Sequence, residues 1–229
     1  MTLFEAISAR HSVRRYKDDP IPQDVLSILK DKVAEVNRLG GLHVQLVTEE
    51  PKAFSGLMAY GSFSGVRNYF VMAGRKSDEL DESIGYYGEQ LVLLAQTLGL
   101  NTCWAGLTYS KIPGTYELGD DEKICCYIAL GYGLTQGSGH KVKSPADVSN
   151  AGDGTPEWFC RGVDAALLAP TAVNQQKFRL DYLSPEGGSS LPKVSAKPSF
   201  SMIGYTKIDL GIVKYHFELG AGKENFEWA

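Results

Sequence analysis

Three arginines, a histidine and a serine fall within six residues near the start of the chain: Arg10, His11, Ser12, Arg14 and Arg15. Guanidinium forks match phosphate oxygens and bind them through charge-assisted hydrogen bonds. With a hydroxyl between them, these side chains form a candidate phosphate clamp. Cations are also favoured at a helix C-terminus whatever they bind, and a short helical pattern precedes the run, so both readings stand on the residues alone. A second set is Ala169-Pro170-Thr171-Ala172-Val173-Asn174-Gln175-Gln176. Pro170 lacks an N–H and disfavours helix at the residue before it, so the helix-like run ahead of it must stop. The small residues and amides beyond it can lay bare backbone and the Asn174 side chain against a flat ligand, or simply connect a helix to a strand. Lys141 and Lys143 sit two apart on an extended stretch and point the same way, to share an anion or to meet solvent. No nucleophile–base pair can be assembled, because His11, His43, His140 and His216 have no motif around them. The cysteines, Cys103, Cys125, Cys126 and Cys160, show neither a Cys-x-x-Cys pair nor metal-ligand spacing. The chemistry on offer is the holding of an anion and a flat ligand.

These stretches resemble the signature segments of the nitroreductase superfamily, the FMN-dependent reductases. Residues 169–176 follow that family's Ala-Pro-(Ser/Thr)-Ala-x-Asn-x-Gln, and Arg10, Ser12, Arg14 and Tyr16 follow its Arg-x-Ser-x-(Arg/Lys)-x-(Phe/Tyr). The resemblance implies that Arg10 and Ser12, with His11 between them, hold the FMN phosphate, and that Arg14 lies near the flavin N1/O2 edge. It implies that Lys141 and Lys143 reach the phosphate, as the family's Lys-x-(Arg/Lys) pair does. The turn at Ala105, Gly106 and Leu107 would offer an N–H to flavin N5 or O4. Pro170, Thr171, Ala172, Asn174 and Gln176 would pack on the ring. It further implies NADH or NADPH as hydride donor, a ping-pong sequence, and a small-molecule acceptor such as a nitroaromatic or a quinone. The flavin carries such chemistry and the protein supplies binding, orientation and electrostatics, so no catalytic side chain is expected.

The elements that must position these residues are legible as hydrophobic periods. Residues 3–11 read as a short helix. Val25, Leu29, Val33 and Val36 mark a second, broken by Gly40-Gly41. Residues 43–47 and 69–73 read as strands, with a Gly- and Ser-rich loop over 55–68 between them. From 78 to 98 a long core helix carries Leu80, Ile84, Tyr87, Leu91 and Leu98 on one face. Gly85 and Gly88 inside it cost roughly 1 kcal/mol each relative to Ala, which points to close helix–helix approach. Residues 101–106 read as a strand entering a Gly turn, with Trp104 in core packing, and 123–130 as a buried strand whose adjacent Cys125 and Cys126 should face opposite ways. Residues 131–137 mimic a dinucleotide fingerprint, but the spacing is one residue too long and no helix follows. Residues 144–154 and 184–200 read as loops, and 178–183 as a strand.

The chain also aligns with itself. Pro22–Leu26 lies over Pro156–Cys160, and the same register pairs Val44 with Phe178 and Leu46 with Leu180. A second register sets Gly88 and Gly99 over Gly211 and Gly222, so 208–219 matches the long helix. The expected fold is α+β, nitroreductase-like, with a central mixed or antiparallel sheet flanked by helices. It is built from two diverged copies of one α/β unit, about 20–110 and 155–229, integrated in one domain over 1–229. By resemblance, family members are homodimers whose flavin takes its phosphate clamp from one subunit and the Ala-Pro corner from the other. Here both lie in one chain. Pro170 pairs with Val36 and Asn174 with Gly40, so copy one lacks the corner, and a single-chain pseudo-dimer with one FMN is expected.

Of the 229 residues 43% are hydrophobic and 22% charged, with net charge −4, enough for a substantial core. No basic face suggests nucleic acid, no apolar run approaches the roughly 20 residues of a membrane helix, and the N-terminus lacks a signal-peptide pattern. The cysteines read as reduced thiols of a cytoplasmic protein. The expected partner is a small-molecule acceptor, and the expected state a monomer open to further self-association. The competing expectations are a non-catalytic flavin-binding or regulatory protein of the same fold, and a remnant that binds no flavin.

Overall fold

The computed structural model describes residues 1–56, 59, 61–184 and 191–229. Parts of the loops expected over 55–68 and 184–200 therefore lie outside the described residues. The elements run α1 (Leu3–Ala9), α2 (Gln23–Gly40), β1 (Gln45–Val47), β2 (Asn68–Arg75), α3 (Leu80–Thr97), β3 (Asn101–Ala105), β4 (Glu122–Gly131), α4 (Pro145–Val148), α5 (Glu157–Leu167), β5 (Phe178–Leu183), β6 (Lys193–Pro198), α6 (Thr206–Ala221) and β7 (Glu227–Trp228). The order α2-β1-β2-α3-β3 recurs as α5-β5-β6-α6-β7. The strands divide into two sheets: an antiparallel one in the order β1-β2-β4-β3, and a smaller one, β5-β6-β7, in which β7 runs parallel to β6.

Strand alternation sorts the side chains of the larger sheet. Phe70, Met72, Cys126, Ile128 and Leu130 enter the main core beneath the helices, while Tyr69, Val71, Tyr127 and Ala129 enter a second cluster on the other face. The alternation breaks at one point. Met72 pairs with Cys126 but Ala73 pairs with Ile124, a bulge that leaves Cys125 over. An extra residue shifts the facing of its neighbours, so Cys125 and Cys126 both pack against the main core instead of pointing apart. Cys125 and Cys160 are only half-buried.

The centre of the molecule is the crossing of α3 and α6. A Cβ on Gly85 would lie 2.0 Å from the Ile208 carbonyl oxygen, and one on Gly211 would lie 2.0 Å from that of Glu82. Glycine at both points lets the backbones touch. Gly88 serves a different contact, against the side chains of Trp104 and Met72. Two segments read as loop are ordered elements. Ser144-Pro145-Ala146-Asp147 opens α4 with a reciprocal capping box, too short for any period to show. Residues 193–198 form β6, where only Val194 is fully buried, so no clean alternation marks it. Among the described residues no helix is long and apolar enough to cross a membrane, and no cluster of His, Cys, Asp and Glu suits a metal ion.

Candidate active site

α1 stops at Ala9 and Arg10 leaves it extended. The Val13 N–H donates to the Thr102 carbonyl at 3.0 Å, which lays the arginine segment alongside β3. Ser12 and Arg14 thereby come beside the turn that follows β3. From the other half of the chain, α5 ends at Leu167 and residues 170–173 fold over the first turns of α6. Between these pieces lies a cavity of about 370 Å³, within the usual size of a small-molecule site. Ser12 and Arg14, the turn at Ala105, Gly106 and Leu107, and the corner at Pro170, Thr171 and Ala172 all line it.

The corner is strained and held. Val173, Asn174 and Gln176 have φ of 46°, 56° and 46°, a left-handed conformation unfavourable for residues with a Cβ and most of all for β-branched valine. Asp209, on α6, supplies the fastening. Its carboxylate accepts the Ala172 N–H at 2.9 Å and the Gln175 Nε2–H at 2.7 Å. Burial pushes the Asp209 pKa up to about 6, with those two hydrogen bonds pulling the other way. The Thr171 hydroxyl accepts the Gln176 N–H at 3.0 Å. Strain maintained by this many contacts is the usual mark of a site whose shape matters.

The remaining expected residues sit outside the cavity wall. The Asn174 and Gln176 amides both donate to the Lys141 carbonyl at 2.8 Å, and the Lys143 Nζ donates to the Gln176 carbonyl at 2.8 Å. These residues tie the corner to residues 141–143; the Asn174 amide is engaged there and not on the cavity. Arg10 is 3% exposed, with its Nε 3.8 Å from the fully buried Glu89. Burial works against its charge and Glu89 supports it. Glu89 also accepts from the Trp104 indole at 3.0 Å and faces His216 Nε2 at 2.9 Å. His11 is half-buried, and burial together with nearby Arg10 and His140 lowers its pKa. His140 is half-buried, with its Nε2 3.1 Å from the Leu167 carbonyl oxygen.

Sequence reasoning missed Asp209 and Tyr205, which line the cavity, and placed Trp104 only in the core although it lines the cavity too. The one available signal for Asp209 was an acid set among Ile208, Leu210 and Ile212 on an apolar helix.

Fold and cavity define a class: a two-sheet α+β domain with a ligand cleft where its two halves meet. The family model described as "Putative TM nitroreductase" matches residues 2–221, and the chain belongs to this nitroreductase family. The crystal structure of a "putative nitroreductase" from Thermotoga maritima is similar over 98% of this chain and 85% of its own, with a TM-score of 0.65 and 23% identity. A "putative nitroreductase in complex with FMN" from a Desulfovibrio desulfuricans subspecies is similar over 64% of this chain and 94% of its own, with a TM-score of 0.52 and 16% identity. The comparison with curated proteins found no match.

Proposed function

We propose that the protein is an FMN-dependent NAD(P)H oxidoreductase that delivers hydride, in a ping-pong sequence, to nitroaromatic, quinone or similar small acceptors. The observation that carries this reading is a cavity walled on one side by Ser12 and Arg14 and on the other by the Pro170–Ala172 corner. The residues fit the cofactor in kind. Trp104, Ile208 and Ile212 give an apolar bed, and Gly106 lets the Tyr205 ring pack directly on the turn. The buried Arg10 Nε has no hydrogen-bond partner but faces the Glu89 carboxylate and lies outside the cavity wall, so the cation available to the ligand there is Arg14. Lys143 is committed to the Gln176 carbonyl, so its part in a phosphate clamp requires exchange of that bond. FMN is the ligand of the Desulfovibrio relative that shares the fold.

When bound, FMN supplies the hydride chemistry. The chain's own residues bind and orient. Arg14 places a fixed positive charge on the wall, which favours negative charge developing beside it. Asp209 holds the corner against α6, and the apolar walls keep water from the reacting face.

The reading includes one complete site per chain. A second cavity of about 440 Å³ lies along the N-terminal part of α3. In the register that pairs Gly88 with Gly211 it is the counterpart of the first, with Trp228 standing where the first has Ala105. Its Lys214 is bonded to Glu82, its Lys223 to Glu218 and its Lys207 to the Asp78 carbonyl. Lys214 and Lys223 thus face carboxylates, Lys207 is held by a backbone carbonyl, and an indole stands in the place of the turn. The duplicated chain would then act as a monomeric pseudo-dimer.

The test is direct. Purified protein should carry flavin absorbance, NADH or NADPH should bleach it without oxygen, and a quinone should restore it. Yellow protein that never bleaches is a non-catalytic flavin-binding protein. Colourless protein that ignores added FMN ends the flavin reading.

A further inference from the structure

Behind the cavity wall lies a cluster of buried charge. Glu89 on α3 and His216 on α6 are both fully buried. Glu89 Oε2 accepts the Trp104 indole N–H at 3.0 Å, and Trp104 lines the cavity. Glu89 Oε1 lies 2.9 Å from His216 Nε2 and 3.8 Å from Arg10 Nε. The other ring nitrogen, His216 Nδ1, lies 3.2 Å from the Ala165 carbonyl oxygen on α5.

These contacts fix the number of protons. A carbonyl oxygen only accepts, so Nδ1 carries a hydrogen. An ionised carboxylate also only accepts, so a second hydrogen must lie between Nε2 and Oε1. Without it, lone pairs would face each other where no water screens them. The indole N–H and the Arg10 guanidinium both favour the ionised carboxylate, which leaves the proton on the ring. His216 and Glu89 then cancel, and Arg10, which does not lose its proton, leaves one net positive charge. Among the described residues, the other titratable groups whose charge reaches the cluster are His11, Cys103 and Tyr215. Burial lowers the pKa of His11 and raises those of Cys103 and Tyr215, so all three are uncharged at neutral pH.

We infer that His216 is a specificity-determining residue of the site: as an imidazolium it leaves one net positive charge behind the Trp104 wall, which favours an anionic over a neutral form of the ligand. This rests on the reductase reading for the ligand alone; there the favoured form is the reduced flavin, and the buried charge adds to that of Arg14 on the wall. The proton count also says what each variant does. In Glu89→Gln the amide donates to Nε2 and its oxygen accepts from the indole, so His216 is neutral and Arg10 still leaves one positive charge. In His216→Gln the charges of Arg10 and Glu89 cancel, and none is left.

Nuclear magnetic resonance of protein labelled with nitrogen-15 in its histidines decides the proton count at pH 7, whether or not flavin binds. His216, identified by elimination against His11→Gln, His43→Gln and His140→Gln, should show both ring nitrogens protonated. A ring with one bare nitrogen overturns the inference. The second measurement is the ratio of affinities for reduced and oxidised FMN, read from equilibration of the flavin-loaded protein with redox dyes. That ratio should fall by roughly tenfold in His216→Gln, the order of a unit charge acting through protein, and stay within about twofold in Glu89→Gln. Equal shifts in the two variants, or none in His216→Gln, overturn the electrostatic role. Protein that takes up no FMN ends the reductase reading, and the histidine spectrum alone then upholds or overturns the buried charge.

Discussion

Asp209 is the residue whose chemistry most shapes the site, because one buried carboxylate fastens the corner to α6. Its folded pKa of about 6 lies above the 3.8 of an unperturbed aspartate. A raised acid pKa means that the native state binds more protons between about pH 4 and pH 6. Stability from this group is therefore greatest at low pH and falls as pH rises through that window. The Asp209→Asn variant keeps a carbonyl for the Ala172 N–H and cannot ionise. Relative to it, the wild type should lose on the order of 2–3 kcal/mol between pH 4 and pH 7, read from urea melts at the two pH values. A difference that does not change with pH refutes the assignment. A second residue prediction concerns Gly106. An added Cβ would meet the Tyr205 ring at 2.6 Å, so Gly106→Ala should displace the ring and reduce flavin retention while the melting temperature stays nearly unchanged. Full retention of flavin in that variant contradicts the placement of the turn. The turn glycine was singled out beforehand only through resemblance to a family segment, whereas a carboxylate on an apolar helix has no motif and becomes meaningful only once the chain folds Ala172 against it.

Among the elements, α3 and α6 decide whether the two halves fit together. Alanine at Gly85 would gain up to about 1 kcal/mol in helix propensity, but its Cβ would collide with backbone that cannot yield. Overpacking of this kind costs about 1–3 kcal/mol or more, so Gly85→Ala should lower the urea midpoint, and Gly211→Ala should do the same. Gly152→Ala, where nothing lies within 4 Å, is the control and should be neutral. A stabilised Gly85→Ala protein would show that the helices do not touch there. At this scale the sequence was most readable where a period ran long. α3, α6 and β5 were found with close bounds, since Leu80, Ile84 and Leu91 or Phe178 and Leu180 repeat at the spacing that burial demands. It was least readable in β6, where a strand between β5 and β7 buries mainly Val194, and in β4, where a one-residue bulge turns Cys125 to the face its neighbour already occupies. A bulge depends on the partner strand, and no local pattern announces it.

Over the whole molecule, the account rests on two halves with the same order of elements and unequal sites. The arginine segment and the Pro170 corner are separated by well over a hundred residues, and their meeting at one cavity follows from two local facts: Val13 pairing with β3, and Asp209 gripping Ala172. Only the resemblance to a family suggested that the two segments share a site, and nothing suggested that Asn174, Gln176 and Lys143 would bond to one another. The counterpart cavity has Trp228 on its wall and two of its lysines paired with carboxylates, which is why one FMN per chain is proposed. The most direct measurement is the flavin content of freshly purified protein, completed by titration with added FMN and set against chain concentration. One FMN per chain, falling by roughly tenfold or more in affinity when Arg14 is replaced by alanine, is the expected result. No binding at all, two FMN per chain, or affinity indifferent to Arg14 contradicts the account.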